Sequence, residues 1–194
     1  MRYPPEHKEQ THERIVNAAA RRFRSRGGEG AAIADLMRDL RLTHGGFYRH
    51  FDSKEDLFAE AFAHSIDEMA DGMVSIADHA APGTGAKALI EGYFSLEHCA
   101  DVAGGCPVAA LAAEIARRPR RSRGPLLKAL GRLITRMAVY MPGASEEERM
   151  RKAMMLFSGM HGTLTIARAI VDDHERRRFL DHAKTFYLEA LTII

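Results

Sequence analysis

Apolar residues return every three to four positions along nearly the whole 194-residue chain, and almost nowhere do they alternate. A period near 3.6 buries one stripe of a helix, whereas a half-buried strand needs a period of two. The repeat therefore predicts an all-α fold. Composition agrees where it bears on this: alanine, leucine, arginine and glutamate abound, valine, isoleucine and threonine are modest, and 46% hydrophobic residues suffice for a substantial core.

The breaks in the repeat set the organisation. Ile15, Ala19 and Phe23 fall four apart, ringed by Arg14, Arg21, Arg22, Arg24 and Arg26, and Gly27 and Gly28 are expected to stop that helix. A second helix of about two turns carries Ile33, Leu36, Met37 and Leu40. "RLT" breaks it, and Thr43 is placed to cap a third short helix that turns Phe47 and Phe51 inward. "DSKEDLF" opens a fourth, with Asp52 or Ser53 as N-cap and Leu57, Phe58, Ala61, Phe62, Ile66 and Met69 as its face.

After a loop at 79–86, helices are expected over 86–102, from Pro107 to near Arg118, over 125–140, over 146–171 with Ser145 and Glu148 as a capping box, and over 175–191. The stretch "RRPRRSRG" (117–124) reads as a basic loop, either solvated or touching DNA or an acidic partner. The total is about nine helices. The switch from short to long helices predicts two domains, 1–52 and 53–194.

Charge is uneven. Residues 1–54 hold 11 Lys/Arg against 7 Asp/Glu, while residues 55–194 hold 17 against 19. A basic end on a near-neutral body points to a polyanion. No apolar run approaches the roughly 20 residues that span a membrane. The polar start lacks a signal-peptide core, and two cysteines make no disulfide framework, so a cytoplasmic protein is expected.

Three short helices with a three-residue break between the second and third form a helix-turn-helix pattern. Such a third helix enters the major groove of double-stranded DNA. In "LTHGGFYRHF" (42–51), Gly45 and Gly46 would thin the face that meets DNA, at about 1 kcal/mol of helix stability each. Thr43, His44, Tyr48, Arg49 and His50 are the expected exposed polar groups around it. Lys54, at the start of the fourth helix, is placed to hold one more phosphate.

The stretch "IADLMRDLRLTHGGFYRHFDSKEDLF" resembles the DNA-binding signature of the TetR/AcrR family of transcriptional regulators, matching at Leu42, Thr43, Gly45, Phe47, Tyr48, His50, Phe51, Ser53, Lys54, Glu55 and Leu57. The likeness covers about residues 11–62. One position departs: Arg41 stands where the family usually has glycine, a position that often needs left-handed backbone.

The resemblance implies a helical body that binds a small-molecule effector and dimerises through its last two helices, so that two heads read a palindromic operator as a repressor. The helix around "LFSGMHGTLTIARAIV" (156–171) fits, since Gly159, Gly162, Ala167 and Ala169 would allow close approach of a partner. Candidates to line the effector pocket are Phe62, Met69, Met73, Tyr93, Phe94, His98, Met137, Met155 and His161, although each also suits a core position.

Cys106 in "GGCP" sits at a helix start, where the helix dipole would favour thiolate. A Gly-Cys-Pro motif there also resembles a subgroup with members that answer electrophiles or oxidants. The alternative is a small buried cap. His98, Cys99 and Cys106 lack metal-ligand spacing, and no cofactor motif is evident. An enzyme would need Cys106 and His98 as a thiol–imidazole pair, but no third group to orient them stands out.

Overall fold

A computed structural model describes residues 5–193, all of whose regular structure is helical. Ten helices follow in order: α1 Pro5–Gly30, α2 Ile33–Asp39, α3 His44–Phe47, α4 Lys54–Asp78, α5 Gly85–Tyr93, α6 Leu96–Ala100, α7 Pro107–Arg117, α8 Arg120–Ala138, α9 Glu146–Ala169 and α10 Asp173–Ile193.

Four starts are fixed by a hydroxyl. Thr43, Ser53, Ser95 and Ser145 each accept a hydrogen bond from the backbone N–H three residues on, satisfying a donor the helix cannot. Ser95 explains why ten helices form rather than the nine expected. The predicted helix over 86–102 breaks at Phe94, and Ser95 caps a new short helix by accepting from His98 N–H.

The arginine stretch is also not a loop. Arg118 ends α7 in extended backbone, Pro119 precedes α8, and α8 begins at Arg120, five residues before the expected start at Pro125. Pro119 has no N–H, and the helix needs none at that point.

The first helix likewise outruns its expected end. Gly27 bends it at φ 73°, ψ 164°, and the helix resumes to Gly30. The kink wraps Glu114 of α7: its Oε2 accepts from Gly28 N–H at 2.8 Å, and a Cβ on Gly27 would lie 2.6 Å from Oε1. Glycine is needed here for both the backbone and the close approach.

The 25-residue α4 is the spine. Leu57, Phe58, Ala61, Phe62, Ile66, Ala70, Met73 and Ala77 bury one stripe at helical spacing. It packs on α1 at its start and most extensively on α8 along its length. On the outer edge of that second contact, Arg132 meets Asp67 through two hydrogen bonds, Arg136 pairs with Asp71, and Tyr140 donates to Asp78. One continuous core of buried residues runs from Ile15 and Phe23 through Phe58 and Phe62 to Leu133, Phe157 and Leu180. Among the described residues, no helix is long and apolar enough to cross a membrane.

Candidate nucleic-acid interface and effector cavity

The head is α1–α3 with the start of α4. Phe47 and Phe51 stack at 5.5 Å and are 1% and 4% exposed, so they anchor α3 from beneath. The α-helical part of α3 is only His44–Phe47. Tyr48 to His50 continue it as turn, with Arg49 N–H donating to Gly46 O and His50 N–H to Phe47 O. The expected single helix through Phe51 is therefore tighter at its end than a regular α-helix.

Thr43 spends its acceptor on capping, taking a bond from Gly46 N–H at 3.1 Å and keeping its O–H free to donate. His44 is exposed and sits edge-on to Tyr48, itself 61% exposed. Arg49 is exposed. A Cβ on Gly45 would meet nothing within 4 Å, whereas one on Gly46 would press on Thr43 Oγ1 at 3.3 Å. Gly45 therefore opens the outer face, and Gly46 clears the cap.

Two candidates sit differently from expectation. His50 is half-buried rather than exposed, with its ring tilted against His12 and Phe51, and its Nδ1 is buried without a hydrogen-bond partner. Burial, then the nearby His12, Lys8 and Arg49, holds its pKa below the ordinary value. Lys54 Nζ donates to the Glu29 carbonyl at 3.4 Å, tying α4 to the end of α1.

The structure adds two cations, Lys8 and Arg41, to the expected DNA-facing set. A groove of about 750 Å³ between the start of α1 and the α2–α3 turn is lined by Lys8 and Arg41 as well as Arg49 and His50. Among the described residues, no carboxylate lines it. Lys8 lies 35 residues before Thr43, so no local pattern could have joined them.

In the body, a cavity of about 300 Å³ is walled by α4, α5, α6 and the loop before α7. It brings together Met69, Met73, Tyr93 and His98 of the expected lining, with Ile76, Leu89 and Glu68 beside them. The other candidates lie elsewhere. Phe62 and Met137 are packed in the core, and Phe94 stacks on Tyr187 at 5.5 Å. His161 Nδ1 bonds back to Phe157 O within α9, while Met155 is 59% exposed on the surface of α9. Periodicity marks which residues are apolar but not whether their helix face turns inward.

His98 is held at both nitrogens. Nδ1 lies 2.6 Å from the Tyr93 carbonyl and must donate, while Nε2 accepts from Cys106 N–H at 3.2 Å. That fixes the neutral tautomer, and burial lowers its pKa. The imidazole thus meets the backbone of Cys106 and forms no thiol–imidazole pair.

Cys106 is the N-cap of α7, with Sγ accepting from Ala109 N–H, and it is fully buried. The expectation that the helix start favours thiolate fails here. Burial pushes the thiol's pKa up, and the hydrogen bonds and Arg168 only oppose that. Cys99 is also buried and free, with its pKa raised by the same cause.

The cavity wall is clamped from two sides. Arg24 of α1, its side chain 1% exposed, donates Nε to the Ala103 carbonyl at 2.5 Å and lies 3.8 Å from Glu68. Arg168 of α9 donates to the carbonyls of His98, Cys99 and Asp101. At the far end of α7, Arg118 pairs with Glu55 and Glu114 and lies over the Phe58 ring at 3.9 Å. The wall of the cavity is thereby joined to the head at both ends of α7.

A helix-turn-helix head with an open cationic face, carried on a larger all-helical body, is the architecture of a DNA-binding regulator. Residues 15–61 match the family described as "Bacterial regulatory proteins, tetR family". Similar structures extend that likeness to the whole chain. A TetR transcriptional regulator from Chloroflexus aurantiacus is 26% identical, covers 96% of each chain and has a TM-score of 0.76. A TetR-family regulator from Cytophaga hutchinsonii is 17% identical over 97% of this chain and 98% of its own, at 0.75. The reduced form of NemR from E. coli is 16% identical over 92% and 95%, at 0.73. No curated protein sequence matches. Residues 15–61 thus match a TetR-family head, and the whole chain is similar in fold to TetR-family transcriptional regulators.

Proposed function

We propose that the protein is a homodimeric repressor that binds a palindromic operator through α3 and leaves it when a small apolar effector fills the α4–α5–α6 cavity. The observation that carries this reading is the outer face of the turn and α3. Thr43, His44, Tyr48 and Arg49 surround an open Gly45 there, over a rigid Phe47–Phe51 base. These are the groups that donate to phosphates and base edges. Gly46 serves that face by freeing the cap. His50 backs it, and Lys54 steadies the start of α4 beside it.

A twofold operator needs two heads about one DNA turn apart, which a dimer supplies. Met155, Ile166 and Phe186 stand 57–62% exposed on α9 and α10, too apolar for a face left in water. Gly162 opens the same face of α9, since a Cβ there would meet nothing within 4 Å. Gly159, by contrast, is taken up within the chain by Tyr187.

Effector release follows from differential binding: the ligand must prefer the arrangement that cannot span the operator. The cavity shares α4 with the head, and its loop is held by Arg24 of α1. Ligand that spreads α4 from that loop moves both head attachments together.

The test is protection of DNA flanking the coding region by purified protein, with Arg49→Ala as control. A thermal-shift screen of small hydrophobic compounds against wild type and a cavity-filling Gly72→Phe variant tests the effector half. Failure of the variant to lose a wild-type hit would reject this cavity as the site.

A further inference from the structure

We propose that Arg41 contacts a phosphate of the operator backbone, and that the protein keeps a strained residue in the turn for the sake of its charge. This rests on the DNA-binding reading above and adds a residue to it.

The turn after α2 is a Schellman motif. Leu42 N–H donates to the Met37 carbonyl at 2.8 Å, and Arg41 N–H donates to the Arg38 carbonyl at 2.9 Å. Leu40 is the C-cap, so Arg41 occupies the next position, which must take a left-handed backbone. Its φ is 59°, and it is the one non-glycine residue with positive φ among those described. Any L side chain is disfavoured there, and glycine is the residue that avoids the clash. Nothing the Arg41 side chain does within the fold offsets this: it is exposed and has no hydrogen-bond or ion-pair partner among the described residues.

What it does is line the groove, which holds no carboxylate among the described residues. Lys8 and Arg49 line the same groove, also without partners among the described residues, whereas Arg22 and Arg38 of the same head are neutralised by Asp39 and Asp35 at 2.6 Å. Three unpaired cations beside the buried, unpartnered Nδ1 of His50 make a site for linked anions. Arg41 and Lys8 flank α3 rather than standing on it, and groups flanking a recognition helix face the phosphates that border the major groove. Unrelieved strain in a turn, next to convergent charge, is the pattern of a residue kept for binding.

The experiment compares Arg41→Gly, Arg41→Ala and Arg41→Lys by thermal unfolding and by fluorescence anisotropy on the footprinted operator and on a scrambled duplex, from about 50 to 200 mM salt. For Arg41→Gly we expect the melting temperature to rise by about 1–3 °C. We expect affinity to fall about 5- to 10-fold per subunit near 0.1 M salt, with the slope of log K against log salt shallower by about 0.9 per subunit. The loss should be similar on both duplexes, since phosphates carry no sequence. Arg41→Ala should show the same loss without the thermal gain, and Arg41→Lys should keep the slope.

An unchanged slope in Arg41→Gly, while Arg49→Ala abolishes binding, overturns this proposal and leaves the DNA-binding reading standing. A loss confined to the specific operator overturns it too, because that is base readout. Wild-type protein that binds neither duplex removes the DNA-binding reading itself.

Discussion

Gly45→Ala separates the needs of the fold from those of the interface. A methyl at Gly45 meets nothing within 4 Å, so the fold offers no steric objection. Alanine favours a helix interior over glycine by about 1 kcal/mol. Because α3 is a four-residue helix and Gly45 is its second residue, about half of that is expected, ~0.5 kcal/mol. For a chain of this length the melting temperature should then rise by about 1–2 °C. In the complex the same methyl stands on the face that meets DNA, and the dimer carries two. A loss of at least about tenfold in operator affinity, equivalent to ~1.4 kcal/mol, is expected. Thermal unfolding and anisotropy titration measure the two effects on one preparation. A raised melting temperature with unchanged affinity would show that Gly45 does not face DNA. A lowered melting temperature would show that the outer face of α3 is occupied within the fold.

Other outcomes follow from the body of the molecule. His98 and His50 have pKa values below the ordinary 6.5, so the unfolded chain takes up more protons below that pH, and stability should fall as pH drops below about 6.5. His98→Asn keeps a donor near the Tyr93 carbonyl but does not titrate, and an unchanged pH slope of the melting temperature in this variant would clear His98 of that role. Both thiols should resist a water-soluble disulfide reagent in the native state and react fully in denaturant, and fast native labelling of Cys106 would contradict its burial. Gly105→Ala drives a methyl into the Asp101 carbonyl and toward Arg168, so it should destabilise by about 1–3 kcal/mol in denaturant titration. Phe186→Asp should leave a folded monomer in analytical ultracentrifugation, with operator affinity sharply reduced.

The helical class and the head were legible because both rest on local spacing. Phe47 and Phe51 four apart, the Thr43 hydroxyl before α3 and the pair Gly45–Gly46 are all written within ten residues. Even the left-handed turn at Arg41 could be read, since a fixed position in a known motif demands it. The misreadings have two physical sources. The cap at Ser95 and the start after Pro119 are local signals that the apolar repeat runs across, whereas the exposure of Met155 depends on what packs against α9, which a single helix pattern does not record. Cys106 shows the same thing in electrostatics: the helix start was visible, but the burial that outweighs it exists only in the folded chain. The groove pairing Lys8 with Arg41 and the clamp of Arg24 on Ala103 are products of tertiary structure alone.

Whether α3 and its turn read DNA is decided by a nuclease footprint with wild type and Arg49→Ala on the DNA beside the coding region. The expected result is a protected palindrome with half-sites about one helical turn apart, lost in the variant while its melting temperature stays within about 1 °C of wild type. Equal protection by the two proteins, or none by either across that DNA, would contradict it.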